Sequence, residues 1–368
     1  MARTHLRRRV AGARTVARTA VTANAPRRLR RAAGDVPAAE LDTTTSLPEL
    51  DLSIPPWPGA DVEVAGTRLF VRSTPTTADT PVPTAVYVHG LGGASTNWTD
   101  LAHLLRPFVE GLAPDLPGFG RSGPAATGEY SIRAHARVVT AYLEQVVAER
   151  GGPVHLFGNS MGGAISIRVA ARRPDLVRSL TLISPAVPDL RVRRDDDPRA
   201  ALMLVPGVAR TVQKRMATVT PRQQAKAMVR LCFGDPDRVP EHRIEEAAAE
   251  IEVRSGYAWG QSAFAASMKG LVASWFSATP WNDLAAVTAP TLVLWGDRDK
   301  LVDPALAPRV AAAVPRARLL VLAGVGHVAQ IEDAVTTARA WLGTVGRRSV
   351  HDTTDARVSG LRGPSVSS

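Results

Sequence analysis

The run His155-Leu156-Phe157-Gly158-Asn159-Ser160-Met161-Gly162-Gly163 constrains the fold of this chain most, because an apolar strand passes through Gly-x-Ser-x-Gly directly into a helical pattern from Ala164. Such a chain must turn abruptly, and glycines at 158 and 162 remove the Cβ atoms that would collide across the turn. A serine at the tip of that turn is pushed out where a substrate carbonyl and a histidine can both reach its hydroxyl.

The rhythm on either side agrees. Val62-Glu63-Val64 and Arg68-Leu69-Phe70-Val71-Arg72 flank Ala65-Gly66 and predict an antiparallel hairpin. Residues 83–89, 109–117, 154–158, 179–184, 290–295 and 318–322 read as short strands, and 83–89 has the near-continuous apolar character of a strand covered on both faces. Helical spacing is expected over 94–105, 131–150, 162–173, 304–313 and 332–342, with Gly151-Gly152-Pro153 ending the second of these. Strands alternating with helices imply right-handed crossovers, hence an α/β fold with a mostly parallel sheet and helices on both faces. The rhythm breaks over 188–280, where helical segments punctuated by prolines hold no strand. These read as a helical cap inserted over one edge of the sheet. The core is then 61–187 together with 281–345, preceded by a disordered basic extension and linker over 1–60 and followed by a disordered tail over 346–368.

The 368 residues carry a net charge of +11, but its location matters more than its size. Residues 1–31 hold ten arginines and no acid, so the remainder of the chain is near neutral. The body therefore lacks the basic surface that a nucleic-acid partner requires, and the tail reads as a solvated extension. Arg14 and Arg18 interrupt the apolar core that a signal peptide needs, and no apolar run approaches the roughly 20 residues that span a bilayer. Cys232 is the sole cysteine, which excludes an intrachain disulfide and fits a cytoplasmic location.

In open parallel sheets, reactive groups collect beyond the carboxyl ends of the strands. Four chemical signals lie there. Ser160 needs an adjacent base to become a nucleophile. His327, in Gly324-Val325-Gly326-His327, follows the strand ending at Leu322; His5 and His351 lie in tails, His103, His135 and His242 on helices, and His155 inside a strand. A base also needs a carboxylate on its second ring nitrogen. Gly296-Asp297-Arg298-Asp299-Lys300-Leu301-Val302-Asp303 supplies three acids. Asp299 is favoured because the turn is complete there, with Asp297 in reserve as a turn-former and Asp303 before Pro304 as a helix cap. His89-Gly90-Leu91-Gly92-Gly93 supplies the oxyanion loop, with the backbone N–H groups of Leu91 and Met161 as the expected donors. His89 itself is expected to shape that turn.

The order Ser160, Asp299, His327, together with Asp115-Leu116-Pro117-Gly118-Phe119-Gly120-Arg121-Ser122, resembles the α/β-hydrolase superfamily with a helical cap, over roughly residues 60–343. The resemblance implies a serine-type hydrolase without metal or organic cofactor, acting on a small apolar ester or related acyl substrate. Ser160 argues against the aspartate-nucleophile branches. Asn159 before the serine is similar to the elbow of the meta-cleavage-product hydrolases, which leaves carbon–carbon bond hydrolysis as the alternative chemistry. Arg191, Arg193 and Arg230 are the candidates there for holding a substrate carboxylate, and the apolar stretch 270–276 of the cap would suit an acyl or aromatic group. A non-catalytic receptor on the same fold is the third reading.

Overall fold

A computed structural model describes residues 36–188 and 219–346. Eight strands, β1 (Gly59–Val64), β2 (Thr67–Thr74), β3 (Thr84–Val88), β4 (Glu110–Pro114), β5 (Val154–Asn159), β6 (Val177–Ile183), β7 (Thr291–Gly296) and β8 (Ala317–Leu322), form one sheet in the order β1-β2-β4-β3-β5-β6-β7-β8. The β1–β2 hairpin closes through Ala65 (φ 49°) and Gly66 (φ 75°), the paired positive φ that matches strand twist in a two-residue turn. β2 runs antiparallel to β4, and every pair from β4 to β8 is parallel. β3, β5 and β7 are buried at every position, which is why they read as unbroken apolar runs.

Helices cover both faces. On one side α2 (Ile132–Arg150) and α3 (Met161–Arg172) contribute Val139, Leu143, Ile165 and Val169 to the larger apolar layer. On the other, α1 (Thr99–Leu105) supplies Leu101, Leu104 and Leu105 around an aromatic cluster of Tyr87, Trp98, Phe157 and Trp341, with Tyr87 and Phe157 centroids 4.8 Å apart. Among the described residues, four further helices follow β6: α4 (Pro221–Cys232), α5 (Glu241–Ser255), α6 (Gly260–Ser274) and α7 (Thr279–Ala286). Thr220 and Gln223 cap α4 reciprocally, with Pro221 at its first turn. α7 packs on α3, where Asp283 pairs with Arg168 (2.9 Å) and Arg172 (3.1 Å). α8 (Ala307–Ala313), α9 (Ala329–Glu332) and α10 (Ala334–Trp341) complete the fold.

Two expectations are refined. The final helix starts at Ala334, where Asp333 caps it by accepting from the Thr336 N–H (3.1 Å), and the short helix α9 precedes it. The linker before β1 is not loose from residue 36 onward. Ala39 N–H donates to Leu319 O (2.8 Å) and Leu319 N–H to Pro37 O (2.9 Å), adding one rung beside β8. The Asp42 carboxylate accepts from Thr44 and Thr45, while Asp42 N–H donates to Arg339 O (3.0 Å) and the Arg339 guanidinium donates to Asp42 O (2.8 Å). Its composition gave no such signal, because the contacts are to backbone atoms far away in the chain. The arginine-rich stretch, most of the polar C-terminal tail, His5, His351, Arg191 and Arg193 lie outside the described residues.

Candidate active site

Ser160 is the residue on which β5 turns into α3. Its backbone holds φ 55° and ψ −120°, a region that side-chain-bearing residues rarely occupy, at a cost of order 1–3 kcal/mol. The surroundings fix it there: Ser160 N–H donates to Ile183 O (3.1 Å), and Ser160 O accepts from Ala164 and Ala186 (3.1 and 2.9 Å). The glycine requirement is steric. A Cβ at Gly162 would lie 2.2 Å from Val88 O, and one at Gly158 would lie 2.5 Å from Gly162 O. α3 can approach β3 and β5 this closely only without those atoms.

His327 follows β8 at the end of the 324–327 loop and is nearly fully buried. Its Nδ1–H donates to Asp299 Oδ2 at 2.8 Å, leaving the lone pair on Nε2. Asp299 Oδ1 accepts from the N–H groups of Leu301 (2.8 Å) and Val302 (3.0 Å), so the carboxylate cannot rotate away from the ring. The other two acids of that loop are engaged elsewhere. Asp297 accepts from Gly324 N–H (2.7 Å) and closes the loop, and Asp303 caps the following turn through Ala305 N–H (2.8 Å). Serine and histidine are linked through the residue between strand and nucleophile: Asn159 Nδ2 donates to His327 O (3.0 Å) and to Ile183 O (3.0 Å).

The 89–93 loop lies against the serine, since a Cβ at Gly90 would sit 3.0 Å from Ser160 Cβ. Leu91, next in the loop, is half-buried. Met161 opens α3, so its N–H has no carbonyl one turn back to accept it. His89 Nδ1–H donates to Gly90 O (2.7 Å) and its Nε2 accepts from Leu116 N–H (2.9 Å), which joins this loop to the 115–122 loop. Burial holds that imidazole below its ordinary pKa, so it stays neutral and shapes the turn. Asp115 ties the same two loops, accepting from Ser95 N–H (2.6 Å) and Arg121 N–H (2.8 Å).

Several contributors carry no local sequence signal. Arg254 of α5 donates to Gly92 O (2.8 Å), and burial lowers its pKa from the ordinary arginine value. Phe264 of α6 faces Gly92, with a ring carbon 3.1 Å from where a Cβ would be. Within the 270–276 stretch, Leu271 is buried in the main core, Gly270 packs on Tyr130 and Ser131, and Phe276 is exposed. Arg230 offers its carbonyl to Lys300 Nζ (2.9 Å). Cys232 is half-buried, and burial followed by the nearby Asp299 charge pushes its thiol up to about 12, so it has little thiolate to offer. His135 and His155 are structural, bonded to Ser267 (3.0 Å) and Ser179 (2.7 Å).

This arrangement presents a hydroxyl, a carboxylate-oriented imidazole and a glycine-rich loop at the carboxyl ends of parallel strands. Residues 83–334 match the family described as alpha/beta hydrolase fold, and the chain belongs to that family. It is 25% identical over 266 residues to Lipase 3 of Moraxella sp., covering 68% of this chain and 73% of the lipase. It is 28% identical over 262 residues to a 2-hydroxy-6-oxononadienedioate/2-hydroxy-6-oxononatrienedioate hydrolase of Cupriavidus pinatubonensis, covering 68% and 82%. Among solved structures, a thermophilic esterase from Thermogutta terrifontis superposes with a TM-score of 0.60 at 23% identity, covering 80% of this chain and 98% of the esterase. That likeness is one of fold. Among the described residues, no helix is long and apolar enough to cross a membrane.

Proposed function

We propose that the protein is a serine hydrolase that cleaves carboxylic esters of small or medium apolar substrates through an acyl-enzyme. The observation that carries this reading is the His327 Nδ1–H to Asp299 hydrogen bond, with His327 O tied by the amide of Asn159, the residue preceding a serine held at positive φ. In the proposed reaction His327 Nε2 takes the Ser160 proton as Oγ attacks the ester carbonyl. Asp299 stabilises the imidazolium, and the N–H groups of Leu91 and Met161 receive the oxyanion. Collapse expels the alkoxide, which takes the proton from His327 and leaves Ser160 acylated. Water then gives its proton to His327 and attacks the acyl carbon, and collapse returns the proton to Ser160 as the carboxylic acid departs. Phe264 against the oxyanion loop would favour an apolar acyl or alcohol group. A cytoplasmic location, suggested by the lone Cys232, belongs to the same reading.

A second reading, carbon–carbon hydrolysis of a dienoate, draws on the similarity to the Cupriavidus hydrolase and on Asn159. Asn159 has a local duty here, since its amide holds Ile183 and His327. No role in substrate choice is needed to account for it.

A fluorophosphonate probe tests the nucleophile, with Ser160→Ala as control, and a chain-length series of chromogenic acyl esters tests the substrate class. Labelling and ester turnover that both vanish in Ser160→Ala support the reading. An unlabelled but folded wild-type protein would overturn it in favour of a non-catalytic receptor. Labelling without ester turnover, but with loss of dienoate absorbance, would transfer it to carbon–carbon cleavage.

A further inference from the structure

Glu332 stands outside the proposed reaction, yet its carboxylate gathers three backbone N–H groups from two distant segments. Oε2 accepts from Gly326 (2.7 Å) in the histidine loop and from Gly234 (3.0 Å) just beyond α4 of the cap. Oε1 accepts from Asp235 (2.9 Å). Charge-assisted bonds of this kind are roughly twice as strong as neutral ones. The two segments also touch directly. His327 N–H donates to Cys232 O (2.6 Å), while Lys300, beside Asp299, donates through Nζ to Arg230 O (2.9 Å) and Phe233 O (3.3 Å). No slack exists between them, because a Cβ at Gly326 would lie 2.3 Å from Cys232 O and one at Gly234 would lie 2.4 Å from Gly324 O. The backbone of His327 is thus held on one side by Asn159, at its carbonyl, and on the other by the cap, at its N–H.

We propose that Glu332 is a positioning residue that makes the placement of His327 conditional on the seating of cap segment 232–235. The carboxylate binds base loop and cap to one point, so loosening either one displaces the imidazole that Asp299 orients. This rests on the serine-hydrolase reading and deepens it, assigning to the cap a part in setting the base as well as in enclosing substrate. An acceptor-only group is required at this position. Glutamine has the same shape, but its NH₂ would face an N–H donor, so at least one of the three bonds is lost and replaced by a repulsive contact.

The test compares wild type with Glu332→Gln, using a short acyl ester and the low-field imidazole N–H proton resonance of His327, assigned by its loss in Asp299→Asn. The expected result is a folded variant whose kcat falls by about 10²-fold, the penalty of roughly 1 Å of misplacement. KM should stay within a few-fold, and the resonance should broaden or disappear. A role confined to stability would lower the melting temperature while leaving both kcat below it and the resonance unchanged; that result overturns the proposal. If Glu332→Gln does not fold, Lys300→Met decides, since it loosens the same cap segment without touching Glu332. A fall in its kcat supports the proposal and an unchanged kcat overturns it. Should wild type neither label with fluorophosphonate nor turn over ester, the reaction reading fails by itself. The resonance comparison then still decides the positioning role.

Discussion

The sheet and the proposed cap are held by different physics. β3, β5 and β7 are buried along their whole length between two apolar layers, a non-directional attachment that scales with area. Helices α4 and α5 of the proposed cap bury only Ala225, Ile244 and Ala248. Their grip on the core is polar and point-like: Arg243 pairs with Asp100, Glu250 with Arg72 (3.1 Å), Arg254 meets Gly92 O, and Glu332 meets the 234–235 backbone. An apolar layer resists every displacement, whereas a polar contact specifies one geometry and is lost once that geometry shifts. The core can therefore hold a strained serine, and the cap is suited to setting loop positions that its own seating controls.

The largest effect that would sharpen this contrast is chemical and lies wholly in the core. Ser160→Ala should lower ester kcat by about 10⁶-fold with a melting temperature close to wild type, measured on one preparation. A loss below tenfold would mean that another group performs the attack. Next comes the steric demand. Gly162→Ala places a methyl 2.2 Å from Val88 O inside the buried layer, whereas at Gly256, at the end of cap helix α5, the nearest atom is Val253 O at 3.4 Å. Soluble yield and urea unfolding should show the core variant losing several kcal/mol or failing to fold. The cap variant should stay within about 1 kcal/mol. Equal tolerance of both would erase the distinction.

Arg243→Ala probes the polar grip itself. It strands Asp100, whose side chain is only 6% exposed, and truncating one partner of a buried pair costs about 3–5 kcal/mol. Because the contact belongs to the cap, that cost should appear as faster hydrogen exchange across 221–255, with amides of β5 protected as before. Uniform loss of protection throughout the molecule would show that cap and core unfold as one unit.

The same contrast explains what the sequence makes legible. Parallel strands covered on both faces write themselves as apolar runs, and Ser160, Asp299 and His327 each follow one, so the fold and the candidate site side chains can be read locally. Distinguishing Asp297, Asp299 and Asp303 takes tertiary contacts: one closes a loop, one meets the imidazole and one caps a turn. Glu332 and Arg254 leave no trace in composition or period, because they act on backbone groups 98 and 162 positions away. Nor does a surface-like pattern in 36–58 reveal that Asp42 is buried against α10.

The smallest expected effect is acid sensitivity at the seam. His135 of α2 is 1% exposed and bonds Ser267 of α6 through Nε2 (3.0 Å), between core and cap. Burial, with a smaller contribution from His89, lowers its pKa from 6.5 to about 3. The unfolded chain takes up this proton below about pH 6.5 and the folded chain only near 3, so stability falls as pH drops through that window and levels off beneath it. Each pH unit inside the window costs about 1.4 kcal/mol for this one group. His155, within β5 and likewise lowered to about 3, imposes the same dependence on the core. The two should separate by location. At pH 4.5 amides of α6 should exchange faster than those of β5, since α6 lies outside the sheet. His135→Gln should abolish that excess, because its amide bonds the serine hydroxyl without titrating. If α6 and β5 lose protection in the same proportion and His135→Gln changes neither, core and cap respond to acid as a single body.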